Sequence, residues 1–142
     1  MPEETIKTVE MFLPSVLGYE KVARNAAAAV AEEMGFSDDR IEDLKTAVSE
    51  ACMNAIEHGN QQQRTAQVTV LLTAQQEGLE VKVADEGVRT MPEVIPEPGR
   101  PDEGNRGWGM FFIEQLMDEV EISRLPEGGN VVRMVIYLTK AE

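Results

Sequence analysis

One cysteine, Cys52, and one histidine, His58, are all that the chain has of either residue. An intrachain disulfide is therefore excluded, and so is a zinc site built from several Cys and His ligands. Basic residues are scarce as well, 13 Lys and Arg against 26 Asp and Glu, for a net charge of −13. That deficit argues against nucleic acid and anionic membrane surfaces as partners, because both are bound largely through Lys and Arg. It also repels a polyphosphate at long range, so such a ligand would need a metal ion and local backbone donors. With no such ligand, the excess acid serves solubility. No stretch approaches the roughly 18 consecutive apolar residues of a membrane span. The start, Met1-Pro2-Glu3-Glu4, lacks the basic and then apolar pattern of a signal peptide, which leaves a cytoplasmic protein as the simplest expectation. Aromatics make up only 5% of the chain, so a core must rest on Ala, Val, Ile, Leu and the eight Met. Gly-Lys-Ser/Thr and Gly-x-Gly-x-x-Gly are both absent, which excludes a Walker loop and a dinucleotide fingerprint.

What is present fits one domain over residues 1–142, long enough to bury a core. Residues 5–13 mix β-branched and aromatic side chains and read as a short edge strand that Pro14 ends. Residues 16–34 are Ala-rich, with Val22, Ala26 and Val30 at helical spacing and Gly35 as a stop. Ser37 suits an N-cap, with Asp38 and Asp39 in the first turn where the helix dipole favours acids. From there Ile41, Leu44, Val48, Ala51, Cys52 and Ala55 form one apolar stripe that ends near Gly59. Val68, Val70 and Leu72, then Leu79, Val81 and Val83, alternate with polar residues as two strands turned at Glu77-Gly78. Residues 86–106 hold four prolines and three glycines, too broken for a tight connection and long enough for a functional lid. A helix over 108–118, burying Phe112, Ile113, Leu116 and Met117, and strands over 120–125 and 131–138 complete the chain. Helices set apart from antiparallel hairpins predict an α+β two-layer sandwich, a mixed and mostly antiparallel sheet with helices on one face.

Three segments carry candidate chemistry. Glu50, Asn54 and either Glu57 or His58 share one helix face, offset from the apolar stripe. An amide oxygen suits Mg2+, and a carboxylate one turn earlier can orient or deprotonate a hydroxyl, as phosphoryl transfer requires. The same residues read equally as a solvated face, and His58 as a favourable contact with a helix C-terminus. Asp85 ends an apolar strand, where a partly buried acid needs a donor such as the exocyclic amine of adenine, and Gly87 would let a base approach the backbone. Asp85-Glu86-Gly87 is also an ordinary turn sequence. Gly104, Gly107 and Gly109 precede a helix whose N-terminal N–H groups can bind phosphate, with Arg106 and Arg100 as charge-assisted donors, or they are simply a glycine-rich helix entry with Trp108 capping the core.

In this order the segments resemble the GHKL ATPase superfamily, the Bergerat fold shared by gyrase-type ATPases and histidine kinases. More narrowly, the chain is similar to the anti-sigma-factor serine kinases. Val48-Ser49-Glu50-Ala51 through Asn54-Ala55-Ile56-Glu57-His58-Gly59 matches their N box, Asp85-Glu86-Gly87 the start of the first glycine box, and Arg106-Gly107-Trp108-Gly109-Met110 onward the second. The resemblance implies ATP and Mg2+, with Glu50 as general base and Asn54 as metal ligand. It also implies that Asp85 and Gly87 take adenine, while His58, Arg106, Gly107, Trp108, Gly109 and Met110 line the nucleotide site. It implies a serine/threonine protein kinase that phosphorylates a serine of a small antagonist protein, sequesters a sigma factor and forms a homodimer, with no direct contact to nucleic acid or membrane. Arg89 stands where that glycine box has a second glycine. A side chain there supports the alternative, a non-catalytic partner-binding module of the same fold with weak or no nucleotide binding.

Overall fold

In this computed structural model, residues 6–60, 66–87 and 106–138 are described. Strand β1 (Lys7–Pro14) leads to helix α1 (Glu20–Met34) and helix α2 (Asp38–Asn54), which continues as a π-helical turn over Ala55–Gly59. Strands β2 (Gln67–Ala74) and β3 (Gly78–Ala84) follow, then helix α3 (Arg106–Leu116) and strands β4 (Glu119–Arg124) and β5 (Asn130–Tyr137). The sheet runs β1-β2-β3-β5-β4, with every pairing antiparallel, so no parallel pair accompanies the expected antiparallel ones. The edge position predicted for the first strand is where β1 lies. Residues 88–105, most of the expected lid, lie outside the described residues.

The local chemistry of α2 follows the sequence closely. Ser37 is extended, and its Oγ accepts from the backbone N–H of Arg40 at 3.3 Å, with Asp38 and Asp39 in the first turn. Leu44, Val48, Ala51, Cys52 and Ala55 are buried, while Ile41 packs at the margin. In the strands, Val68, Val70, Leu72, Leu79, Val81, Val83, Val132, Met134 and Ile136 point to the helical layer and close the core. On the opposite face, Arg133 reaches Glu80 at 2.6 Å and Glu119 at 3.2 Å, tying three strands together across a helix-free surface. At the far end, Asp118 joins the layers. Its Oδ2 accepts from Arg40 at 2.8 Å and from the Tyr137 N–H at 2.7 Å, while its own N–H donates to Val135 O.

Three expectations change. Helix α1 begins at Glu20, four residues later than the Ala-rich pattern suggested, because residues 16–19 form a turn in which Gly18 N–H donates to Glu20 Oε1 at 2.7 Å. Its buried stripe is Ala23, Ala27 and Ala31, leaving Val22 exposed, since α2 packs closely enough to admit only methyl groups. In α3, Ile113 and Met117 are buried with Met110, but Phe112 is 46% exposed. The helix starts at Arg106 rather than near Trp108, and Met110 shares the inward face with Ile113.

Two substitutions separate the stripes of α1. Ala27→Leu should overpack the α1–α2 contact and cost about 1–3 kcal/mol in denaturant unfolding. Val22→Lys should change stability by about 0.5 kcal/mol or less.

Candidate functional site

Helix α2 presents Glu50 half-buried and Asn54 only 7% exposed, so the shared face is not a solvated one. Asn54 Nδ2 donates to the thioether sulfur of Met110 at 3.5 Å, which joins the end of α2 to the first turns of α3. Sulfur is a weak acceptor, so the amide nitrogen faces it, and Asn54 Oδ1 keeps no hydrogen-bond partner among the described residues. An unengaged amide oxygen beside a helix start is the donor type that Mg2+ takes together with waters and phosphate oxygens. Burial, and secondarily the nearby Glu57 carboxylate, push the Glu50 carboxyl above its ordinary 4.5. His58 lies in the π-helical turn, and its side chain is outside the described residues.

Arg106, Gly107, Trp108 and Gly109 are the first four residues of α3 rather than a loop before it; of these, only the backbone is described. An α-helix leaves the N–H groups of its first turn without intrahelical acceptors, and no acidic side chain occupies that turn. The N box and the second glycine segment therefore meet through Asn54 and Met110.

Asp85 leaves the end of β3 with its side chain buried, 5% exposed. Its donors come from within the chain. Asn130, at the start of β5, gives its backbone N–H and its Nδ2 to Asp85 Oδ1, both at 3.1 Å, and accepts from the Asp85 N–H at 2.9 Å. Nδ2 reaches Oδ2 at a weaker 3.4 Å, so that oxygen keeps most of its accepting capacity. Burial raises the Asp85 carboxyl above its ordinary 3.8, while the Asn130 and Gly87 N–H donors and the Arg124 charge act in the lowering direction.

Gly87 has a positive φ of 51°, and a methyl group there would overlap the backbone of Gly129; Gly129, at φ 110°, in turn leaves no room for a side chain over the Asp85 carbonyl. The backbone contact between these two glycines already requires Gly87, before any base is considered. The signal for Gly129 is in the sequence, in the pair Gly128-Gly129 at the β4–β5 turn. Asn130 escapes a reading of the sequence because it belongs to no motif. The need of a buried acid for a donor is the one signal that bears on Asn130, and in the sequence it is met by the adenine amine instead.

A shallow groove of about 390 Å3 on the helix-free face, lined by Glu10, Leu71, Lys82 and Arg133 among others, holds none of these residues. Among the described residues no helix is long and apolar enough to cross a membrane, and no group of three or more His, Cys, Asp or Glu could hold a metal ion. A metal here would depend on an amide oxygen and a ligand's own phosphates.

Comparison with known proteins adds an independent view. A family model described as the histidine kinase-like ATPase domain matches residues 13–136. The serine-protein kinase RsbW of Oceanobacillus iheyensis is 35% identical over 142 residues, spanning 94% of this chain and 89% of that protein. Its counterpart of the same name in Bacillus subtilis is 34% identical over 138 residues, spanning 92% and 85%. A crystal structure of the RsbU and RsbW domains of a Mycobacterium tuberculosis protein superposes with a TM-score of 0.66 at 19% identity. It covers 95% of this chain, which spans 33% of that longer chain, and the likeness is one of fold.

Asp85 generates a pH prediction. A carboxyl raised in the folded state binds its proton more tightly there than when unfolded. Its contribution is fully present below the unfolded value near 3.8 and is lost as pH rises through the raised one. Asp85→Asn cannot ionise, so its unfolding free energy should fall less between pH 4 and pH 7 than that of the native protein in matched denaturant titrations.

Proposed function

The chain belongs to the histidine kinase-like ATPase domain family, and from that premise we propose that it is an ATP- and Mg2+-dependent serine protein kinase and anti-sigma factor. The observation that carries the reading is the Asn54–Met110 contact, which brings the N box and the second glycine segment to one place. The kinase names of the relatives, which match this chain over most of its length, support it.

In this reading Asp85 Oδ2 accepts from the exocyclic amine of adenine, with Asn130 holding the carboxylate in place. The first turn of α3, from Arg106 to Gly109, and Met110 border the triphosphate, with the backbone N–H groups of that turn as donors. Asn54 Oδ1 would hold Mg2+, which supplies charge neutralisation for the phosphates. The resemblance assigns His58, whose backbone lies in the π-helical turn, to the same site. Glu50 receives the proton of the substrate serine hydroxyl as the serine oxygen bonds to the γ-phosphorus and ADP leaves with the bridging oxygen. Its carboxyl, raised by burial and by Glu57, is better matched to that proton than an exposed glutamate. The substrate is a small antagonist protein, which competes with a sigma factor for the kinase. The kinase acts in the cytoplasm as a homodimer, without direct contact to DNA or membrane.

The test is phosphoserine formation on the cognate antagonist with labelled ATP. Glu50→Gln and Asn54→Ala should each lower the rate by about a hundred- to ten-thousand-fold, the range for a lost general base or phosphate-positioning group. The native rate should climb as pH rises through the raised Glu50 value and then level off. Undiminished transfer by Glu50→Gln would remove the catalytic assignment. Tight partner binding with no measurable affinity for ATP would point to a non-catalytic module.

A further inference from the structure

Asn60 directly follows the π-helical turn, belongs to none of the three motifs and is 1% exposed. Its backbone N–H donates to Ala55 O at 2.8 Å, the bond that closes the turn. Both ends of its side-chain amide are engaged. Nδ2 donates to Ser15 Oγ at 3.0 Å and to Gln67 O at 3.1 Å, while Oδ1 accepts from the Glu86 N–H at 2.7 Å. The Glu86 carboxylate closes the ring by accepting from the Gln67 N–H at 3.1 Å. One buried amide thus fastens the end of α2 to the segment after β1, to the start of β2 and to the residue beside Asp85.

We infer that Asn60 is a positioning residue, setting the Asp85–Gly87 segment at a fixed distance from the helix end that carries Asn54. The inference rests on the nucleotide reading above, in which Asp85 takes the base and Asn54 the phosphate side. A ligand gripped at both ends binds with full affinity only when the two grips are already spaced for it; a loose spacing must be ordered on binding. A single π turn is an unfavourable local geometry commonly found at functional sites, and here its closing residue also makes the bond to Glu86. The amide suits the role because it donates at one end and accepts at the other, so the Gln67 carbonyl of β2 and the Glu86 N–H of the segment after β3 are satisfied by one side chain.

Asn60→Ala should raise the KM for ATP, and the ATP dissociation constant measured by calorimetry, by about ten- to a hundredfold. The kcat at saturating ATP should stay within about threefold, since Glu50 keeps its place. Ser15→Ala, which leaves the Asn60–Glu86 bond intact, should keep KM within about twofold. A folded Asn60→Ala with native KM, even with a lowered melting temperature, overturns the inference by reducing Asn60 to a structural role. Hydrogen exchange on the free native protein tests it with no substitution at all: the Glu86 amide should be strongly protected, and exchange at the rate of an unstructured amide overturns it. Asp85→Asn separates the two levels. If that variant binds ATP as the native protein does, the nucleotide reading beneath the inference fails. If it loses affinity while Asn60→Ala does not, the inference alone fails.

Discussion

A buried carboxylate must find donors or leave the interior, and the placement of Asp85 depends on how the sheet meets that demand. Antiparallel pairing of β3 with β5 sets Ala84 opposite Val131, which brings Asn130 alongside Asp85. The same register turns Val81, Val83, Val132 and Met134 toward the helices. A slip of one residue would expose that apolar set and strip Asp85 of its donors in one move. Core packing and site geometry are therefore one constraint. The Gly87–Gly129 contact tightens it, since only two residues without side chains let the β4–β5 turn lie directly on the Asp85 segment.

Helix α2 serves two environments because its faces differ in chemistry. One face, from Leu44 to Ala55, is buried in the core, and Cys52 lies within it. Burial there, with the Glu20 carboxylate as a lesser cause, pushes the thiol up to about 12, so it carries no thiolate at neutral pH and is chemically inert. The other face carries half-buried Glu50 and, one turn on, Asn54, which meets α3 at Met110. The contact between α2 and α3 is polar on one side and sulfur on the other, which holds Asn54 weakly by its nitrogen and leaves its oxygen for a harder partner.

Much of this was legible in the chain. Period-two alternation marks β2 and β3, a Ser-Asp-Asp start marks α2, and residue type and spacing single out Glu50, Asn54, Asp85 and the Gly107–Gly109 region. What sequence could not supply were relations between distant segments. An Ala-rich helix offers several methyl stripes, and only the partner helix decides that Ala23, Ala27 and Ala31 face inward while Val22 does not. Phe112 looks like a core residue by composition, yet the inward stripe is Met110, Ile113 and Met117, which leaves it outward. Asn130 and Asn60 are 45 and 26 residues from the atoms they bind in the Asp85–Glu86 segment, so no local pattern marks them.

The two raised carboxyls are displaced in the same direction for unequal reasons, and the difference fits different work. Glu50 is raised by partial burial and by a like charge, Glu57, about two turns further on, and no lowering contact opposes them. Such a carboxyl gains from taking a proton, which is what a base acting on a hydroxyl must do. Asp85 is more deeply enclosed, yet the Asn130 and Gly87 donors and the Arg124 charge all work against its protonation. A carboxylate supported in this way is built to accept hydrogen bonds rather than to exchange protons. Among the acidic side chains of the described residues, what separates these two is the set of neighbours that a helix turn and a strand register place around each.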